Sequence, residues 1–170
     1  MRHIGSLAMF FAIAIFFAGA LPAQEKKIEM TMVKYDGLKQ EILKHRGKVV
    51  IVDFWATNCP PCILALPHYV ELQKKFADKG LVVITVSVDP VDNKERVSRA
   101  NSILTKKEVN LRNLILDEPP ETWSKRFGGD SLPFAYLFDR SGKWVRYRGS
   151  ETPDYDQAVE KTLMQMLNEK

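Results

Sequence analysis

The apolar and polar positions of the chain fall into alternating strand and helix periods. IEMTMV, Ile28 to Val33, alternates apolar with polar and predicts a strand on a sheet edge. Leu38, Ile42 and Leu43 then recur at helical spacing in GLKQEILKH, a run ended by Gly47. The β-branched run from Lys48 to Trp55 has the character of a central strand covered on both faces, and Asp53 is its only charge after Lys48. Ile63, Leu64, Leu66, Val70, Leu72 and Phe76 describe a long helix closed by Gly80, and LVVITVSV, Leu81 to Val88, is a second buried strand. Strand, helix, strand in that order implies a right-handed crossover and a parallel pair.

In the second half, Asp92-Asn-Lys-Glu95 forms a capping box ahead of Val97, Ala100, Ile103 and Leu104 at helical period. Leu111 to Leu116 predicts a short strand. Pro119-Pro120 opens a brief helix that carries Trp123 and Phe127 and stops at Gly128-Gly129. Phe134 to Phe138, the turn Asp139 to Gly142 and Trp144 to Tyr147 predict an antiparallel hairpin. Thr152-Pro153-Asp154 reads as the capped start of a last helix, whose packed face is Ala158, Val159, Thr162, Leu163, Met166 and Leu167. No internal repeat or interdomain linker interrupts this order.

The N-terminal segment changes the picture. Arg2 and His3 precede an apolar run from Leu7 to Ala18, followed by Gly19-Ala20 and the polar Gln24 to Lys27, the layout of a secretory signal peptide cleaved after Ala20 or Ala23. A retained anchor is the alternative, since Ile4 to Leu21 falls just short of the ~20 apolar residues that span a bilayer. The expected division is therefore a signal peptide or anchor over residues 1–23 and one domain over 24–170, periplasmic or otherwise exported. Loss of Arg2 lowers the formal charge from +4 to +3. Lysines and acids alternate along the predicted helices, which points away from nucleic acid.

Export also sharpens the question of the cysteines. The chain has 2, Cys59 and Cys62, inside WATNCPPC. A disulfide between them closes too small a ring to staple a fold, so the pair serves chemistry. Between the strand ending at Trp55 and the next helix, Cys59 falls at a helix N-terminus, where free N–H groups and the dipole favour a thiolate. Cys62 lies one turn further on the same face. The spacing thus predicts an exposed first sulfur that attacks and a second that resolves the mixed disulfide, on a loop stiffened by Pro60 and Pro61.

WATNCPPC after VVIVDF, Pro67 in the following helix and Ser131-Leu-Pro-Phe134 ahead of the hairpin together resemble the thioredoxin superfamily, most closely its exported TlpA/ResA-like thiol-disulfide oxidoreductases. The resemblance spans roughly Lys48 to the end. It implies a thioredoxin-like α/β fold, a mixed central sheet flanked by helices on both faces, with an αβ insertion over Asp92 to Leu116 before the cis-proline hairpin. It implies that Pro133 is a cis-proline facing the disulfide and that Leu132 offers backbone hydrogen bonds to an incoming peptide. Trp55 packs beside the cysteine loop, either as part of the substrate surface or as plain core. Asn58 departs from the bulky aromatic that is common before the first cysteine.

Asp53 is the remaining catalytic candidate. A charge in a buried strand needs a partner or a task. The matching aspartate of thioredoxins lies beneath the second cysteine and helps to move its proton, whereas TlpA-like members carry a glutamate three residues beyond that cysteine, where this chain has Ala65. The expected activity is dithiol–disulfide exchange, in the reducing direction because CPPC lacks the histidine of strongly oxidising relatives, with cytochrome c maturation substrates among the targets. The resemblance further implies no cofactor besides the redox-active Cys59–Cys62 disulfide, disulfide-containing or dithiol proteins as partners, a membrane thiol electron donor, and a monomer. Two alternatives stand beside it. Peroxiredoxins are thiol peroxidases on the same fold, but they take the resolving thiol from elsewhere in the chain. A metal-chaperone or binding domain would use Cys59, Cys62 and His68, yet His68 lies on a different helix face from Cys62, so no metal is expected.

Overall fold

The computed structural model describes residues 27–129 and 131–169; the signal or anchor expected over residues 1–23 lies outside the described residues. No helix among the described residues is long and apolar enough to cross a membrane. In chain order the elements are β1 (Thr31–Val33), α1 (Tyr35–Leu43), β2 (Val49–Trp55), α2 (Pro60–Phe76) with a 3-10 turn (Ala77–Lys79), β3 (Leu81–Ser87), α3 (Lys94–Lys106), β4 (Arg112–Leu116), α4 (Pro120–Phe127), β5 (Phe134–Phe138), β6 (Trp144–Arg148) and α5 (Tyr155–Asn168). The strands form a 6-stranded sheet in the order β1-β4-β3-β2-β5-β6. β1, β4, β3 and β2 run parallel, and the β5–β6 hairpin is antiparallel to β2. This is the thioredoxin-like arrangement expected, with α3 and β4 as the insertion ahead of the hairpin.

Three boundaries differ from the sequence prediction, each for a local reason. β1 begins at Thr31 because the N–H groups of Ile28 and Met30 donate to Thr105 Oγ1 and Asn101 Oδ1 on α3, both at 3.1 Å, and are lost to the ladder. The cap of α3 is Asn93, not Asp92. A turn that closes from the Asn93 N–H to the Pro90 carbonyl makes Asn93 the last residue outside the helix, and its Oδ1 accepts the Arg96 N–H at 3.0 Å. Thr152 and Pro153 do not open α5. The Thr152 N–H is held by the Arg148 carbonyl at 2.9 Å, so the helix starts at Tyr155 after Asp154, whose φ is +49° and whose side chain makes no cap.

Every residue of β2 is buried, and their alternation divides the molecule in two. Val50, Val52 and Phe54 pack with Leu38 of α1 and with Trp123 and Phe127 of α4. Val49 and Ile51 pack with Tyr69, Leu72 and Phe76 of α2 and with Val159, Leu163 and Leu167 of α5. Trp55, at the end of the strand, packs with Leu66 of α2, Ala100 and Leu104 of α3, and both cysteines.

Candidate active site

β2 delivers the chain to α2, and the cysteine loop is wound at that junction. The Cys59 N–H closes a turn on the Ala56 carbonyl at 3.1 Å, which leaves Cys59 as the N-cap of α2 with Pro60 and Pro61 in the first helical turn. Prolines fit there because the first N–H groups of a helix have no partner inside it. Cys59 and Cys62 are joined by a disulfide with their Cα atoms 5.3 Å apart, and the Cys59 Sγ accepts the Cys62 N–H at 3.3 Å. The first sulfur is less open than its position predicts: Cys59 retains 7% of its surface and Cys62 1%. In the closed disulfide it turns inward onto Trp55 and Leu66, with Leu132 against the same cluster. The surface around it belongs to Asn58, Pro60, Pro61 and Leu64, which is 74% exposed.

The loop is braced by a residue that sequence reasoning missed. Asp89, 1% exposed, accepts the Thr57 N–H at 2.9 Å, the Thr57 hydroxyl at 2.7 Å and the Ser87 hydroxyl at 2.9 Å, and Arg96 lies 3.6 Å away. These bonds tie the tip of β2 to the end of β3 and fix the path into Cys59. The available signal was an acid directly behind the buried run of β3, the same reasoning that singles out Asp53.

The Leu132–Pro133 bond is cis. The β2–β5 register pairs Phe54 with Phe134, which brings Pro133 to the end of β2 from which the cysteine loop departs. Leu132 is partly buried against the cysteine cluster. Trp55 is fully buried, its indole N–H without a partner among the described residues, so it supports the loop as core and offers no face to a substrate. The hairpin holds the proline from behind. The Gly149 N–H donates to the Pro133 carbonyl at 2.9 Å, and a Cβ on Gly149 would stand 3.0 Å from the proline ring. Arg148, 2% exposed, donates to the carbonyls of Phe127 and Ser131 and lies over the Phe134 ring. A charged residue at the end of an edge strand gives no hint in the sequence that it is buried.

Asp53 and Trp55 point to the cysteine side of the sheet. Asp53 is 2% exposed, and burial pushes its carboxyl up to about 7. A hydrogen bond from the Tyr69 hydroxyl pulls the other way, and the charge of Asp156 adds to the rise. The second carboxylate oxygen has no partner among the described residues. Burial and the neighbouring Asp53 raise the Tyr69 phenol well above its usual range, so it stays a donor; burial likewise raises that of Tyr155, packed beside it, whose hydroxyl makes no well-formed hydrogen bond. Tyr69 was also missed, although it follows Cys62 by two helical turns and so shares its face. His68 Nε2 lies 2.9 Å from Glu160 on α5, and among the described residues no three His, Cys, Asp or Glu side chains converge on one point.

A disulfide at a helix N-terminus, a cis-proline at the end of β2 from which its loop departs and a buried carboxyl raised to about 7 form a set suited to thiol–disulfide exchange. Known proteins agree. The thiol-disulfide oxidoreductase ResA of Bacillus cereus is 26% identical over 140 residues, 78% of this chain and 77% of that protein. The one of Bacillus thuringiensis subsp. konkukian is 28% identical over 120 residues, which covers 70% of this chain and 65% of its own length. A solved structure described as a thiol:disulfide interchange protein DsbE of Chlorobium tepidum has the same fold, with a TM-score of 0.59 at 24% identity over 88% of this chain and 100% of that one. With the AhpC/TSA family model matching residues 23–164, the chain belongs to the AhpC/TSA family of the thioredoxin superfamily.

Proposed function

We propose that the protein is an extracytoplasmic thiol–disulfide oxidoreductase that reduces protein disulfides, cytochrome c maturation substrates among them. The observation that supports this reading above all is the Cys59–Cys62 disulfide at the N-terminus of α2, where both partners of an exchange reaction share one helical turn. In the reduced protein the Cys59 thiolate attacks a sulfur of the substrate disulfide. That S–S bond breaks, a mixed disulfide forms, and the first substrate thiolate leaves. The Cys62 thiol then gives its proton to Asp53, and its thiolate attacks the Cys59 sulfur. The second substrate thiolate leaves and is protonated, two electrons having passed to the substrate. Leu132 and Pro133 form the wall against which the substrate peptide lies, with Pro60 and Pro61 on the rim. The cysteine pair carries the electrons without a further cofactor, and a membrane thiol carrier recharges it.

The reduction potential of the protein, equilibrated in defined thiol–disulfide buffers, tests the reading. A value near thioredoxin's roughly −270 mV supports a reductase, while one near the roughly −120 mV of a strong oxidant reverses the direction. Faster turnover of hydrogen peroxide than of any protein disulfide would replace the reading with a peroxidase.

A further inference from the structure

Across the sheet from the disulfide, the two short helices α1 and α4 do not close the face they cover. Phe54, Tyr136, Phe138 and Trp144 line a half-open cavity of about 460 Å³ beside them, within the ~300–1,000 Å³ typical of small-molecule sites. Two of the five large hydrophobic side chains that the described residues expose, Leu43 and Trp144, lie on it. Trp144 is 60% exposed, its ring edge-on to Tyr136 at 5.2 Å between centroids. A tryptophan and a leucine left open beside a concave aromatic floor are apolar surface that folding has not used.

The rim is cationic. Lys39, Arg46, Lys48, Lys125, Arg126 and Arg146 surround the cavity, and among the described residues none is paired with a carboxylate. The one acid on the rim, Asp139, is occupied by the Ser141 hydroxyl and by the N–H groups of Ser141 and Lys143. This excess is local, because the whole chain has 25 basic and 21 acidic residues. Three guanidinium groups are already positioned: Arg46 donates to the Ser141 carbonyl, Arg146 donates to that of Phe127, and Arg126 stacks over Tyr35 at 4.5 Å. The lysines supply charges on flexible stems above the apolar floor.

We propose that this cavity binds a small amphipathic anion, an aromatic or aliphatic body that carries a carboxylate, phosphate or sulfonate. The body lies on Tyr136, Phe138 and Trp144, where it displaces water, with the buried Phe54 beneath them. The head meets Lys39 and Lys125, from α1 and α4, the two helices that flank the opening. No residue of the site takes part in the thiol chemistry, so the inference stands apart from the proposed function.

The test is a fluorescence titration of the oxidised protein with 8-anilinonaphthalene-1-sulfonate and with its uncharged analogue N-phenyl-1-naphthylamine. Saturable one-to-one binding of the sulfonate is expected, displaced by dodecanoate below its micelle concentration. K39E/K125E weakens the sulfonate about tenfold and leaves the uncharged analogue unchanged, while K39R/K125R retains the affinity. Trp144→Ala weakens both probes. Exchange with glutathione disulfide is unaltered in K39E/K125E, so this site and the proposed function fail or stand separately. Equal binding of the two probes, indifference to K39E/K125E or no displacement by dodecanoate overturns the proposal. So does binding to phosphatidylglycerol vesicles without binding of the free sulfonate, which would make the face a membrane surface.

Discussion

Two of the buried carboxylates, Glu41 and Asp53, one on each side of the sheet, are shifted in opposite directions although burial raises both. Glu41 of α1 is held by Arg112, whose Nε lies 2.9 Å away, and by Lys44 at 2.9 Å; the Arg112 hydrogen bond leads in drawing its carboxyl down to about 2. Asp53 of β2 has no cation beside it among the described residues, only the Tyr69 phenol and the more distant charge of Asp156, and burial drives its carboxyl up to about 7. Burial alone therefore does not decide the charge state; the partner does. The contrast extends to the neighbours of β2. Next to Asp53 in sequence, Phe54 stacks on Phe134 at 4.4 Å and meets Phe127 at 4.7 Å, an apolar contact with nothing to titrate. One strand thus holds a titratable carboxyl raised by burial on its cysteine side and a fixed aromatic core on the other.

The most drastic way to separate the two sides is Cys59→Ser. It abolishes disulfide exchange with a model protein substrate while the far-ultraviolet circular dichroism stays unchanged; residual turnover above a few per cent would place the nucleophile elsewhere. Val86→Asp puts a carboxylate on the strand next to β2, on the α1/α4 side, inside the apolar core and away from the cationic cavity. A loss of about 4 kcal/mol in urea unfolding at pH 8 is expected, and a neutral result would mean that this side tolerates charge after all. Asp89→Ala leaves the Thr57 N–H and hydroxyl unsatisfied and costs about 3 kcal/mol, with slower exchange because the cysteine loop loses its brace.

Asp53→Asn tests the titrating side directly. The folded carboxyl ionises near 7 and the unfolded one near 3.8, so the native protein is favoured below the lower value and loses that advantage as the pH rises through 7. The variant is therefore about 4 kcal/mol more stable than the parent at pH 9 and nearly equal to it at pH 4, and the inflection near pH 7 in the exchange rate disappears. A stability difference that does not vary with pH would falsify the assignment. Glu41→Gln has the smallest effect, under about 1 kcal/mol, because the pair is partly solvated. Its sign is reversed: the depressed carboxyl stabilises the fold at neutral pH, and that contribution fades as the pH falls from about 4 toward 2, which acid titration of both proteins reads.

Much of the site was legible because its signals are local. The CPPC spacing, a charge inside VVIVDFW and a proline just before the hairpin each stand out against their immediate neighbours, and the expected topology matched the sheet. What escaped was pairing at a distance. Thr57 and Asp89 meet across 32 positions, and Arg148 reaches back to Ser131 across 17. Neither partner betrays the other in sequence. The start of α5 was missed for a similar reason, since the Arg148 carbonyl competes for the Thr152 N–H that a helix start would leave free.

The sequence by itself determined the order of strands and helices and placed both cysteines in one turn at a helix start, because periodicity and capping act within a few residues. Only the tertiary structure decided what each buried polar group meets: a phenol for Asp53, two hydroxyls and an N–H for Asp89, three carbonyls for Arg148, and open cationic space above Trp144. Sheet order and register set those encounters, and they depend on how the whole chain packs.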